Sequence, residues 1–136
     1  MEQAFWTVLT GTLVIALGKI IESLCVQPYI SYQKVIGEIT YQLVFYAQAY
    51  SSRMMKKEAH QEASDKFRVS AARLQTYYNA IAWMRLWFAP SRNEVDKATA
   101  SLIGLSNGTP PRDDEAIGNT RRVDSIRKML KIRFYE

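Results

Sequence analysis

The chain has 136 residues, 48% hydrophobic and 23% charged, which suits an apolar anchor plus one folded domain and excludes long disorder. One cysteine excludes an internal disulfide and a cysteine-built zinc site, and the single histidine leaves no cluster of nitrogen ligands. The formal net charge is +5, with the basic excess gathered near the C-terminal end.

Ala4 to Val26 is one apolar run, interrupted only by Lys19, Glu22 and small polar residues. A helix rises about 1.5 Å per residue and the hydrocarbon core is about 30 Å thick, so about 20 residues suffice to cross it. Phe5 and Trp6 at one end, with Tyr29 and Tyr32 past the other, suit the two aromatic interfacial belts. Lys19 and Glu22 are three residues apart, so they are expected to pair, with Lys19 reaching toward the headgroups. The alternative is a buried helix of a soluble bundle. A cleaved leader is not expected, because Met1-Glu2-Gln3 has no basic start and no small-x-small site follows the run. Residues 1–27 are therefore expected to form a transmembrane helix and 28–136 a cytoplasmic helical domain. No Lys or Arg precedes the run, whereas Lys34, Arg53, Lys56 and Lys57 follow it, which places the N-terminus outside and the rest in the cytoplasm.

Thr7, Gly11, Val14, Gly18, Glu22 and Cys25 recur at spacings of three and four along this helix. Small residues let spanning helices approach closely, and an intramembrane carboxylate is costly against lipid. The stripe thus predicts packing against a second copy or against subunits of a larger membrane complex. Gly11 to Lys19 lacks the spacing and the Ser or Thr of a phosphate loop.

Pro28 is expected to stop or kink the first helix. The next helix, 28–52, carries Tyr32, Ile36, Ile39, Leu43, Tyr46 and Tyr50 at alternating spacings of four and three, a heptad seam. Ser51-Ser52-Arg53 marks a turn. The helix over 57–89 has Ala63, Phe67, Ala71, Leu74, Tyr78 and Ile81 on one face. Lys56, Lys57, Glu58, Glu62, Asp65 and Lys66 form its solvated face, where His60 reads as a lone surface histidine. Pro90 ends it.

If these two helices form a hairpin about residue 55, Trp83, Trp87 and Phe88 return to the membrane surface. Arg85 and Arg92 would then reach anionic headgroups. The alternative puts Trp83 and Trp87 in the bundle core.

Ser91-Arg92-Asn93-Glu94 is a capping-box pattern that opens a helix over 92–107, with Val95, Ala98, Leu102 and Leu105 inward and Asn107-Gly108 closing it. Residues 109–118, with Pro110-Pro111 and Asp113-Asp114-Glu115, read as a loop. Asn119 or Thr120 could cap a basic helix over 119–133, with Val123, Ile126 and Leu130 inward. Arg121, Arg122, Arg127, Lys128, Lys131 and Arg133 would attract anionic lipid or an acidic partner, or form a solvated face. Phe134-Tyr135 has no base-stacking context, which argues against nucleic acid.

No nucleophile elbow, facing carboxylate pair or calcium-loop spacing occurs, so neither an enzyme, a cofactor nor a bound metal is expected. Cys25 reads as a packing residue.

Val8-Leu9-Thr10-Gly11-Thr12-Leu13-Val14, Leu17-Gly18 and Gln33-Lys34-Val35-Ile36-Gly37-Glu38-Ile39 carry a resemblance. Pro90-Ser91-Arg92 and Leu102-Ile103-Gly104-Leu105-Ser106-Asn107 extend it over roughly residues 8 to 108. The chain resembles an uncharacterised group of small single-span bacterial membrane proteins. The resemblance implies a bacterial origin and a membrane anchor, and it carries over no catalytic or ligand residues.

The expectation is an all-α protein: an N-terminal transmembrane helix, then a cytoplasmic helical hairpin or bundle of three to four helices. Its role would be that of an accessory or scaffolding subunit of the bacterial inner membrane, acting through helix association, with its span and the Tyr32–Tyr50 seam docking onto itself or onto a larger membrane complex. The alternative is a homo-oligomeric effector or channel gated by an anionic ligand on its bundle.

Overall fold

One continuous helix of 44 residues opens the fold in the computed structural model, which describes residues 2–52, 56–82, 89–112 and 115–132. It comprises α1 (Glu2–Ile21), a π-helical turn (Glu22–Val26) and α2 (Gln27–Phe45), about 66 Å in all. Pro28 does not stop it. A proline inside a helix lacks a donor, and its ring crowds the carbonyl four residues back. The wider π turn just before it, in which the Gln27 N–H donates to the Glu22 carbonyl, lets the helix continue.

No residue of α1 or of the π turn is buried. Phe5 is 64% exposed and Trp6 63%, and the apolar side chains on every side of α1 are open. The first helix is therefore no core helix of this chain's own bundle. It is long and apolar enough to cross a membrane.

After Tyr46 a short α3 (Ala47–Ser51) is followed by α4 (Lys57–Ala80), α5 (Arg92–Asn107) and α6 (Glu115–Met129). α4 packs against α2 and α5, and α6 packs against α5 and closes on α3. α2 and α4 run antiparallel. Tyr32 meets Tyr78 (ring centroids 6.0 Å apart), Arg73 Nη1 lies 2.9 Å from Glu38 Oε2, and Ser70 Oγ donates to Gln42 Oε1 at 2.8 Å. Each pair is almost equidistant from residue 55, so residues near 30 and 80 share one end of the bundle, and residues near 50 and 60 the other.

The heptad seam is the core of this hairpin. Tyr32, Ile39, Leu43, Tyr46 and Tyr50 are buried, and Ile36 is partly so. They meet Ala63, Phe67, Ala71, Leu74 and Tyr78 of α4, with Val95, Ala98, Leu102 and Leu105 of α5 and Val123 and Ile126 of α6 behind. The seam is thus covered by the chain itself and offers no docking surface to a partner.

Helix starts follow local chemistry. The Ser91 hydroxyl accepts the Glu94 N–H at 3.3 Å, and Glu94 Oε2 accepts the Ser91 N–H at 2.7 Å, the reciprocal pair that opens α5. α6 begins at Glu115, ahead of the Asn119 cap that the sequence suggests, because the Glu115 carboxylate accepts the Arg112 N–H at 3.0 Å. Asn119 consequently lies inside the helix and is fully buried.

Candidate functional site

The site with unsatisfied chemistry lies at the bundle end formed by the first turn of α4 and the α5–α6 connection. A cleft of about 700 Å³ opens there, walled by Pro110 and Pro111 and lined by Lys57, His60, Asn107, Thr109, Arg112 and Glu115. His60 is only 3% exposed, and neither ring nitrogen has a hydrogen-bond partner. This corrects its reading as a surface histidine. His60 lies one turn before Ala63 and two before Phe67, on the same inward face. Extending that apolar face one turn back would have found it; the flanking Glu58 and Glu62 drew it to the wrong side.

The other groups are polar and partly engaged. The Thr109 hydroxyl donates to the Leu105 carbonyl at 2.8 Å, and the Glu115 carboxylate is held on the Arg112 N–H. Lys57 and Arg112 are exposed cations. Lys56, at the start of the 24-residue α4, provides no side-chain cap. Among the described residues no group of three or more His, Cys, Asp or Glu side chains could hold a metal.

Asn119, beside this cleft, is a residue whose role sequence reasoning missed. Its Nδ2 donates to the Tyr50 carbonyl at 3.0 Å and to the Gly108 carbonyl at 2.8 Å, while Oδ1 accepts Arg122 Nη1 at 2.8 Å. It ties the ends of α3 and α5 to α6. A Cβ on Gly108 would fall 2.7 Å from Asn119 Oδ1, so glycine leaves room there for the Asn119 side chain.

The stripe on α1 is open along its whole length. Thr7, Gly11, Val14, Gly18 and Glu22 are all exposed. A shallow groove runs over Trp6, Thr7, Thr10, Gly11, Val14 and Ile15. The hydroxyls of Thr7, Thr10 and Thr12 donate to carbonyls four residues back on the same helix, at 2.8, 2.7 and 2.9 Å. Their protons are thus used within the helix. Lys19 and Glu22 do not form the expected ion pair among the described residues.

The basic residues are dispersed. Arg122 is held by Asn119 and lies over Gly104; Arg127 Nη1 is 3.8 Å from Asp124, and Arg92 Nε 3.8 Å from Asp96. Arg121 and Lys128 are exposed. α6 descends from Asn119 near Tyr50 toward Leu130 and Lys131 beside Tyr32, so these cations are spread along the bundle's length. Trp83, Arg85, Trp87 and Phe88, with Arg53, Asp113, Asp114 and Arg133, lie outside the described residues.

Three titrating groups report the packing. Burial, then the hydrogen bond from its hydroxyl to Glu62 Oε1 (2.7 Å), pushes Tyr46 up to about 12. Burial also raises Tyr50, against the opposing pull of Arg127. Glu94 is held below its ordinary range by the Ser91 N–H, then by the Ser91 hydroxyl. Comparison with family models, with curated proteins and with solved structures yields no match to this chain.

Proposed function

We propose that this is a non-enzymatic accessory or scaffolding subunit of a bacterial inner membrane. α1 crosses the bilayer once, the N-terminus lies outside and the bundle in the cytoplasm. The span associates through Thr7, Gly11, Val14, Gly18 and Glu22 with a second copy or with spans of a larger complex. The observation that carries the reading is the contrast within one helix: α1 has no buried residue, while α2 builds the core. Each large apolar side chain left in water forgoes roughly 1.5–3 kcal/mol of burial, so α1 demands an apolar environment that the chain does not supply. The resemblance to single-span bacterial proteins supports the location.

The experiment is fractionation. The full chain should pellet with membranes, resist alkaline carbonate extraction and dissolve only in detergent. Recovery in the high-speed supernatant without detergent would overturn the reading.

A second reading, an oligomeric effector whose spans move when its bundle binds an anion, is favoured by the unbroken backbone from α1 into α2. Reorienting α2 within the core would reorient the span. A closed ring of identical copies in the purified particle would select it over the accessory role.

A further inference from the structure

The cleft beside His60 has features that a scaffold does not require. A buried polar group without a partner costs about 1–3 kcal/mol, and His60 carries two such nitrogens at the wall of an open cleft. Charge decides what could satisfy them. Lys57 and Arg112 are cations, whereas the one acid lining the cleft among the described residues, Glu115, is engaged by the Arg112 N–H. Lys57 stands in the first turn of α4, at the positive end of a 24-residue helix whose N-cap residue, Lys56, makes no side-chain cap. An anion would meet a helix N-terminus, two flexible cations and an imidazole able to donate.

We propose that this cleft binds the phosphoryl group of a soluble small molecule, with His60 donating to a phosphoryl oxygen and Lys57 and Arg112 neutralising its charge. The volume, about 700 Å³, is in the range of small-molecule pockets and leaves room for more than phosphate alone. Place distinguishes a soluble ligand from a lipid headgroup. Lys57 and His60 share the end of the bundle where Asn119 meets Tyr50, about 35 Å of helix beyond Pro28. A headgroup in the bilayer crossed by α1 would not reach it. The choice of a soluble ligand over a headgroup rests on α1 crossing the bilayer, whereas phosphoryl binding by His60, Lys57 and Arg112 does not, so the phosphate titration and the fractionation fail separately.

The test exploits His60 being the chain's one histidine, which makes its imidazole NMR signals unique. The full-length protein, in a zwitterionic detergent, is titrated with inorganic phosphate against chloride of equal ionic strength. The expected result is a saturable shift of the His60 signals with phosphate alone. Lys57→Ala and Arg112→Ala, both at exposed positions, should each weaken it by about tenfold, the worth of a charge-assisted hydrogen bond. His60→Leu should fold, since it removes two unpartnered nitrogens, and should lose the rise in Tm that phosphate gives the parent protein. No saturable shift, or a shift unchanged in both cation variants, would overturn the proposal. So would an equal phosphate-induced rise in Tm in His60→Leu. In a final arm the protein is placed in nanodiscs of anionic or zwitterionic lipid without phosphate. A His60 shift produced only by anionic lipid would likewise overturn it, by making the ligand a headgroup.

Discussion

At the scale of single residues, Asn119 and Tyr32 put opposite signs on buried polarity. Asn119 has all its bonds made: two backbone carbonyls accept from it and Arg122 donates to it. Asn119→Ala leaves the Tyr50 and Gly108 carbonyls without their donor in the core. The expected loss is roughly 2–4 kcal/mol of unfolding free energy, measured by urea denaturation of the protein in detergent. Tyr32 is the reverse case, since its hydroxyl is buried with no partner. Tyr32→Phe should leave stability unchanged or raise it by up to about 1 kcal/mol. Tyr78→Phe, which forfeits a 2.8 Å bond to the Pro90 carbonyl, should lower it by about that amount. A clear loss in Tyr32→Phe would show that its hydroxyl is satisfied. None of this detail was legible in the sequence. Asn119 reads as a cap because Asn favours helix starts, and only the fold brings Tyr50, 69 residues away, within its reach. His60 was misplaced because its immediate neighbours are charged; the periodicity of α4, rather than those neighbours, decides which side faces in.

At the scale of elements, sequence and structure agree where a common local rule governs and part where a rarer local one does. The four-three alternation from Tyr32 to Tyr50 sets the buried face of α2, and the Ser91–Glu94 pattern sets the start of α5. Pro28 and the start of α6 follow the rarer ones. A π turn accommodates the ring of the former, and the Glu115 carboxylate starts the latter upstream of the better-known cap residues. The α5 cap also links stability to pH. The Glu94 carboxyl is depressed in the folded protein, so the charged form is favoured by folding. Its contribution is complete above the ordinary value of 4.5 and fades as pH falls through the lower folded value. Ser91→Ala should cost about 1 kcal/mol at neutral pH, the usual worth of an N-cap. Glu94→Gln, which removes the titrating carboxyl, should flatten the decline of Tm below about pH 4.5. A decline parallel to the parent protein's would show that other carboxyls dominate acid unfolding.

At the scale of the whole molecule, helix order and the hairpin about residue 55 were legible, because both follow from periodicity and loop placement. What surrounds the apolar α1 was not, since no pattern within one chain specifies a second. The Gly11 stripe makes one arrangement testable. A Cβ on Gly11 meets nothing within 4 Å, so Gly11→Leu adds bulk without disturbing the protein's own packing. If two parallel copies associate through this face, that bulk separates their helices where the backbones approach most closely. Cys25, the only cysteine, lies half-exposed in the π turn at the end of the same stripe. If α1 spans the membrane as proposed, oxidation there joins two copies only through Cys25. Self-association predicts a disulfide-linked dimer in the parent protein and a marked fall in its yield in Gly11→Leu. Docking onto unrelated subunits predicts no dimer in either, with Gly11→Leu releasing the chain from the larger particle. A dimer formed equally well by both proteins would remove the stripe as the contact and leave another face of α1 to fill that role.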